Sequence, residues 1–161
     1  MDDSAQFREA MSRLGAAVTV LTTDGPAGRH GMTASAVCSV TDAPPTLLVC
    51  VNRANRSHAA FTRNRTLCVN VLGEHHRALS GRFASAGATD RFEGETWAAR
   101  KTGAPVLSGA VTAFDCRIGR IEAVGTHSVF FCDVEEVILS CGETTGLIWF
   151  GRGFHDLRAP A

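Results

Sequence analysis

Two β-rich runs in the last third of the chain, residues 110–124 and 127–140, are separated only by Gly125-Thr126. A two-residue break with glycine in first place suits a tight hairpin, so the pair predicts one long antiparallel ladder. The other strand-like runs agree with that commitment. Residues 17–23 (AVTVLTT), 46–52 (TLLVCVN), 66–72 (TLCVNVL) and 147–150 (LIWF) are β-branched or apolar. The turn at Asp24-Gly25-Pro26-Ala27-Gly28 predicts that the first two strands also form a hairpin. Helical patterns are short: residues 5–14, with Phe7, Met11 and Leu14 on one side, then 55–64 and 74–84. These are too few for the crossovers of a doubly wound parallel sheet. Six or seven strands at this spacing predict a mainly β fold. The expected architecture is a closed or partly closed antiparallel β-barrel with a few short helices, in one domain spanning 1–161.

Composition narrows the function classes. A chain of 161 residues is long enough to bury a sizeable core, about 70% of its unfolded surface. Lys and Arg number 16, as do Asp and Glu, so global charge calls for neither nucleic acid nor an anionic membrane. No apolar run approaches the roughly 20 residues of a membrane-spanning helix. The start, MDDSAQFREA, has no basic or apolar signal-like region, so a cytoplasmic location is expected. The six cysteines form no CxxC pair, and five lie in apolar runs, which reads as free, structural thiols. Only His75-His76 cluster, and adjacent residues point apart on a helix, so no metal is expected.

Residues 31–52, GMTASAVCSVTDAPPTLLVCVN, carry the candidate site. They read as two adjacent strands around Pro44-Pro45, the first nearly free of bulky polar side chains. Alternation puts Thr33, Ser35, Val37 and Ser39 on one face. Such a strand either fills a crowded sheet or leaves room for a flat ligand against its backbone, held by main-chain N–H groups and short hydroxyls. Just beyond the second strand, Asn55-Arg56-Ser57 opens a helix, with Arg53 close by; this is an ordinary cap or a phosphate site. Ser80-Gly81-Arg82-Phe83-Ala84 offers a cation and a ring, Phe83 being equally a core residue; Arg91-Phe92 is a weaker repeat of the theme. Gly125-Thr126-His127 places a histidine on a turn edge, solvated or in contact with a cofactor. No GxGxxG, GxxxxGK[ST] or GxSxG motif is present.

Taken in order, FREAMSRLGAAVTVLTTDGPAG, GMTASAVCSVTDAPPTLLVCVN, RTLCVNVL, SGRFA, GTHSVFFCDVEEV and GLIWFGRGFH resemble the short-chain flavin reductases. These are the small reductase components of two-component flavin monooxygenases, and the likeness runs from about Phe7 to His155. Both the 4-hydroxyphenylacetate and the pyrimidine-utilisation reductases are similar, with TDGPAG, NRTLCVN and TAFDCRI nearer the latter. The resemblance implies an FMN-binding split β-barrel, a homodimer, in which NADH (NADPH in some members) reduces FMN or FAD for a partner monooxygenase. It implies that Thr33, Ala34, Ser35, Ser39 and Val40 line the flavin ring and ribityl chain. Cys50, Val51 and Asn52 would contact the ring from the neighbouring strand. Ser57 and Phe61 would hold the phosphate end, with Arg82 and Phe83 nearby. His127 would sit by the nicotinamide; the family's Asp before this histidine is Thr126 here, so no carboxylate role carries over. Hydride transfer between two rings needs stacking and distance rather than an acid or base. Two alternatives on the same barrel stay open: a non-enzymatic flavin- or haem-binding module, and an oxidase with tightly held FMN like the pyridoxamine-phosphate oxidases.

Overall fold

The computed structural model describes residues 3–141, 145–158 and 160. Helix α1 (Asp3–Ser12) leads through β1 (Ala16–Ala17) and β2 (Thr19–Thr23) to β3 (His30–Ala34), β4 (Val37–Asp42) and β5 (Pro45–Asn52). Helix α2 (His58–Asn64), β6 (Thr66–Val71), a 3-10 turn at Glu74–His76 and α3 (Arg77–Ala84) follow. Then come β7 (Trp97–Ala99), β8 (Pro105–Leu107), β9 (Thr112–Val124), β10 (His127–Leu139), β11 (Thr145–Phe150) and β12 (Gly153–Arg158). Seven strands form the main sheet in the order β3-β2-β6-β9-β10-β5-β4; β1-β11-β12 and β7-β8 form two smaller sheets.

The long hairpin is present: β9 and β10 pair from His127↔Val124 to Leu139↔Thr112, with bulges after Phe131 and Val134. Its outer flanks pair with β6 and β5, so it is the middle of the sheet. The run 31–40 is where the expectation fails. It is not one strand but two, β3 and β4, on opposite edges of the main sheet. Only Ser35-Ala36 separates them, so Ala34 and Val37 lie at most about 11 Å apart along the chain. Seven flat strands would set the two edges about 29 Å apart. The sheet must therefore curl until its edges nearly meet.

Its concave side holds the main core: Leu21 of β2, Val49 and Val51 of β5, Leu67 and Val69 of β6, Ile118 of β9, Phe130 of β10 and Phe61 of α2. Leu21 and Val49 come from strands four places apart, which a flat sheet would never bring into one cluster. Yet no ladder joins β3 to β4 among the described residues, so the sheet is open and the barrel is not closed by hydrogen bonds. The reason is local: Ala36 O accepts from Cys50 N–H at 3.0 Å, which turns the link toward β5 rather than β3.

A second cluster packs on the outer face, where Val18, Val20, Leu72, Leu79, Phe83, Leu107 and Leu147 join α3 to the smaller sheets. Strand β2 is therefore covered on both faces, and all five of its residues are buried. Asn70 ties the layers together. Its Nδ2 donates to Val20 O (3.0 Å) and Thr22 Oγ1 (3.1 Å), and its Oδ1 accepts from Leu107 N–H (2.8 Å).

Helix α1 ends before Leu14 and buries none of its residues; Phe7, Met11 and Leu14 are all exposed. Helix α2 begins later than position 55, because Asn55 Oδ1 accepts the Ser57 N–H and holds 55–57 as a turn. All six cysteines are free thiols, and Cys68, Cys116 and Cys132 are buried. Among the described residues no helix is long and apolar enough to cross a membrane.

Candidate functional site

Edge strand β3 is the backbone of the site. Gly31 O accepts from Ser57 Oγ (3.0 Å) and Arg91 Nη1 (2.8 Å), so the Gly31 backbone faces away from β2. Alternation turns Thr33 the same way and Ala34 toward β2; Ala34 O indeed accepts from Thr19 Oγ1 at 2.7 Å. Gly31 has to be glycine. A Cβ there would meet Phe83 Cε1 at 2.5 Å and Leu21 O at 2.8 Å. Phe83 is thus the ring that clamps β3 from outside, in an aromatic cluster with Phe92 (5.1 Å) and Trp97 (5.7 Å).

Three cavities flank this edge. The first, of about 260 Å³, is lined by Thr33, Ala34 and Ser35 opposite Ser80, Gly81 and Ala84 of α3, with Trp149 and Phe154. Small side chains on both walls leave backbone exposed, and Thr33 Oγ1 donates to Ser80 O at 2.6 Å. The second is a groove of about 960 Å³ at the open end of the curled sheet, between α1, Ser35–Cys38, Leu48, Cys50 and Trp149. Burial pushes the Cys50 thiol pKa up, with Cys38 adding to the effect, so this wall is uncharged. The third, of about 740 Å³, lies at the start of β3 and is basic: Arg29, His30, Arg56 and Arg91 surround Gly31 and the backbone of 86–90. From Gly31 to Ser35 the extended chain covers about 13 Å. One elongated ligand can therefore reach from the basic recess to the small-residue cavity.

The remaining candidates separate into three groups. Asn52 and His127 are brought together, facing each other across the β5–β10 ladder. Arg53 N–H donates to Thr126 O (3.0 Å) and its guanidinium to Gly125 O, which fastens the histidine turn to the loop before α2. Beside it His58 Nε2 shares a 2.9 Å hydrogen bond with Ser128 Oγ. Burial, and then the charge of Arg53, lowers the His58 pKa, so the imidazole is neutral at physiological pH.

Val51, Phe61 and Phe83 form the second group. Their side chains are fully enclosed in the two cores, because β5 alternates inward at 47, 49 and 51 and because Phe61 packs against Phe130. Ser57 is also buried, its hydroxyl committed to Gly31 O. The third group stands apart: Ser39 and Val40 lie exposed along β4, the opposite edge, and Arg82 donates to Glu93 O. Sequence reasoning under-rated Arg91, and it passed over Arg29, His30, Trp149 and Phe154. The spacing of Arg56 and Arg91 gives no hint that they converge; the one local signal was the second Arg-Phe pair.

A curled, open antiparallel sheet thus carries along one edge a small-residue cavity and, separately, a basic recess. The chain belongs to the flavin reductase like domain family, whose model matches residues 11–158. It is 52% identical to FMN reductase (NADH) RutF of Variovorax paradoxus, over 97% of this chain and 87% of that one. To FMN reductase (NADH) RutF of Klebsiella pneumoniae it is likewise 52% identical, over 99% and 97%. Among solved structures it is similar to Streptomyces globisporus C-1027 NADH:FAD oxidoreductase SgcE6, with TM-score 0.89 and 30% identity over 99% of this chain and 95% of that one. That protein is also known in complex with NAD and FAD fragments.

Proposed function

We propose that the chain is an NADH:flavin oxidoreductase that reduces FMN, and FAD as an alternative substrate, and hands reduced flavin to a flavin-dependent monooxygenase. The observation that carries this reading is the pair of cavities along β3, a basic recess at Gly31 and a small-residue cavity at Thr33–Ser35. Its relatives are named as NADH-dependent FMN reductases, and another structural neighbour is the flavin reductase component of a two-component tryptophan halogenase.

Bound flavin supplies the hydride acceptor for the nicotinamide. The protein's own contribution is placement. Thr33, Ala34 and Ser35 offer a flat wall of backbone and small side chains, while Cys50 adds an uncharged flank. Asn52 and His127, paired at one end of the β5–β10 ladder, add hydrogen-bonding groups there. No side chain is required to give or take a proton, and the neutral His58 is consistent with that. An open, shallow bed suits a flavin that must leave after reduction.

The reading includes a homodimer in the cytosol. Exposed Phe7 and Met11 on α1 and Leu14 just after it, with Trp149 and Phe150 alongside, form an apolar face beside the 960 Å³ groove, and a second copy would cover it. Free thiols suit a reducing compartment. The test is NADH oxidation followed at 340 nm with catalytic protein and excess FMN. Many turnovers per protein are expected; a rate equal to that of FMN and NADH alone would sink the proposal. With His127→Ala, the KM for NADH is expected to rise several-fold while FMN binding holds.

A further inference from the structure

We infer that Arg53 and Thr126 are positioning residues for His127: Arg53 braces the turn that carries the histidine, and the Thr126 hydroxyl holds one ring nitrogen, so that Nε2 is presented to the nicotinamide. The inference rests on the reading of the chain as an NADH-dependent flavin reductase with His127 at the nicotinamide, and adds to it what fixes that ring.

The turn needs a brace. It is two residues long, and the first, Gly125, has a φ of +54°. Glycine enters that left-handed conformation at no steric cost and leaves it as freely. Thr126 and His127 are exposed, so core packing does not hold them. The restraint comes from the loop after β5. Arg53 N–H donates to Thr126 O at 3.0 Å, and the Arg53 guanidinium donates to Gly125 O. One residue thereby engages both carbonyls of the turn.

The loop that supplies the brace is itself fixed. Asn52 pairs with His127 across the ladder, its Oδ1 accepts the Ala54 N–H and its main-chain O the Asn55 N–H, both at 2.9 Å. On the other side of the histidine, Ser128 is buried and its hydroxyl shares a 2.9 Å hydrogen bond with His58 Nε2. The backbone is thus tied at 125, 126, 127 and 128, and the histidine side chain is left to be oriented.

Thr126 does that. Its Oγ1 shares a 2.9 Å hydrogen bond with His127 Nδ1. Among the described residues no group pairs with His127 Nε2. A ring held at one nitrogen and open at the other suits a carboxamide, which donates and accepts and so meets Nε2 in either tautomer. The histidine is also within reach of the flavin's flank. Cys50, in the wall of the larger groove, stands two residues before Asn52, about 7 Å along the strand. Arg53 has one competing role, direct contact with a phosphate of the dinucleotide, and a double-mutant cycle separates the two.

The experiment measures kcat and KM for NADH at saturating FMN, with FMN affinity read separately by fluorescence titration without NADH. Thr126→Val and Arg53→Met should each raise the KM for NADH about fivefold, the effect of about one net hydrogen bond. In both, kcat and FMN affinity should stay within about twofold. Thr126→Ser keeps the hydroxyl and should restore the wild-type KM; Arg53→Lys keeps a donor but not the fork and should fall between. In a His127→Ala background neither substitution should change kcat/KM by more than about twofold, because the ring they position is gone.

An unchanged KM in Thr126→Val or in Arg53→Met would overturn the inference. So would a further fivefold loss on top of His127→Ala, which would mean direct contact with NADH, or an equal loss of FMN affinity, which would mean a general disturbance of the fold. Wild type that fails to oxidise NADH would overturn the reductase reading and this inference together. Normal wild-type turnover with any of the other three results would overturn the inference alone.

Discussion

The two edges of the main sheet, β3 and β4, are joined by two residues and end in opposite conditions. Along β3 the outward backbone is engaged or walled: Gly31 O holds Ser57 and Arg91, Thr33 reaches Ser80, and α3 with Phe83 covers the flank. Along β4 every residue after Val37 is exposed, and Val40 is 48% accessible. An unpaired edge is a template for pairing with another chain. Here one edge has been closed off by side chains and walls two separate cavities, while the other is bare. The difference teaches that the site is built by what packs against β3, not by the small residues of 31–40 as such.

The largest effect should come from the clamp. Phe83→Ala removes a buried ring from the outer core and should cost about 3–5 kcal/mol, read from urea unfolding. A loss below about 1 kcal/mol would mean that β3 is held by other means.

The next effect concerns the start of α3, which backs the same edge. His76 is buried there, its Nδ1 accepting the Gly73 N–H at 3.1 Å. Burial first and the neighbouring His75 second pull its pKa down to about 4. The folded state thus disfavours protonation relative to the unfolded chain, where histidine titrates near 6.5. Stability from this group is complete above about pH 6.5 and declines as pH falls toward 4, by up to about 3 kcal/mol. In His76→Asn, whose amide oxygen can accept the same N–H, the acid slope over that window should flatten; an unchanged slope would assign it to other groups.

Gly31→Ala should cost about 2 kcal/mol, because the new methyl group meets both the clamped Phe83 ring and the Leu21 carbonyl. A neutral result would show that β3 can shift outward freely. Smallest of all, Val40→Lys on the bare edge should change unfolding free energy by less than about 0.5 kcal/mol. Val40 lies outside the apolar face proposed for a second copy, so light scattering should match that of wild type. A changed oligomeric state would instead seat a second copy on β4.

Much of the fold was legible because it depends on local pattern. The hairpin at Gly125-Thr126, the β2–β3 hairpin and the β4–β5 hairpin follow from turn residues and β-branched runs, which act over a few positions. The break at Ser35-Ala36 was not legible, since a lone Ser is a weak turn signal, Ala is none, and the alternation of small residues continues across it. Strands β7, β8 and β12 were missed because each is short or polar and gains its order from what it packs on. The exposure of α1 was not legible either: an apolar stripe shows that a face seeks cover, and says nothing of whether the same chain provides it.

For the site the division is similar. Thr33, Ala34 and Ser35, singled out from sequence, line a cavity, whereas Asn52 and His127 face each other across β5–β10 and line none of the three cavities described. Val51, Phe61 and Phe83 were also singled out, yet they face the cores, because proximity in sequence to a site does not settle which way a side chain points. By itself the sequence determined the mainly β class, which follows from periodicity along the chain, and the family, which follows from the likeness of its motifs. Only the tertiary structure decided that residues 31–40 form both edges of one curled sheet. It also decided that Arg56 and Arg91, 35 positions apart, meet beside Gly31. Convergence of that kind is a property of how the sheet closes on itself, and no pattern of neighbouring residues encodes it locally.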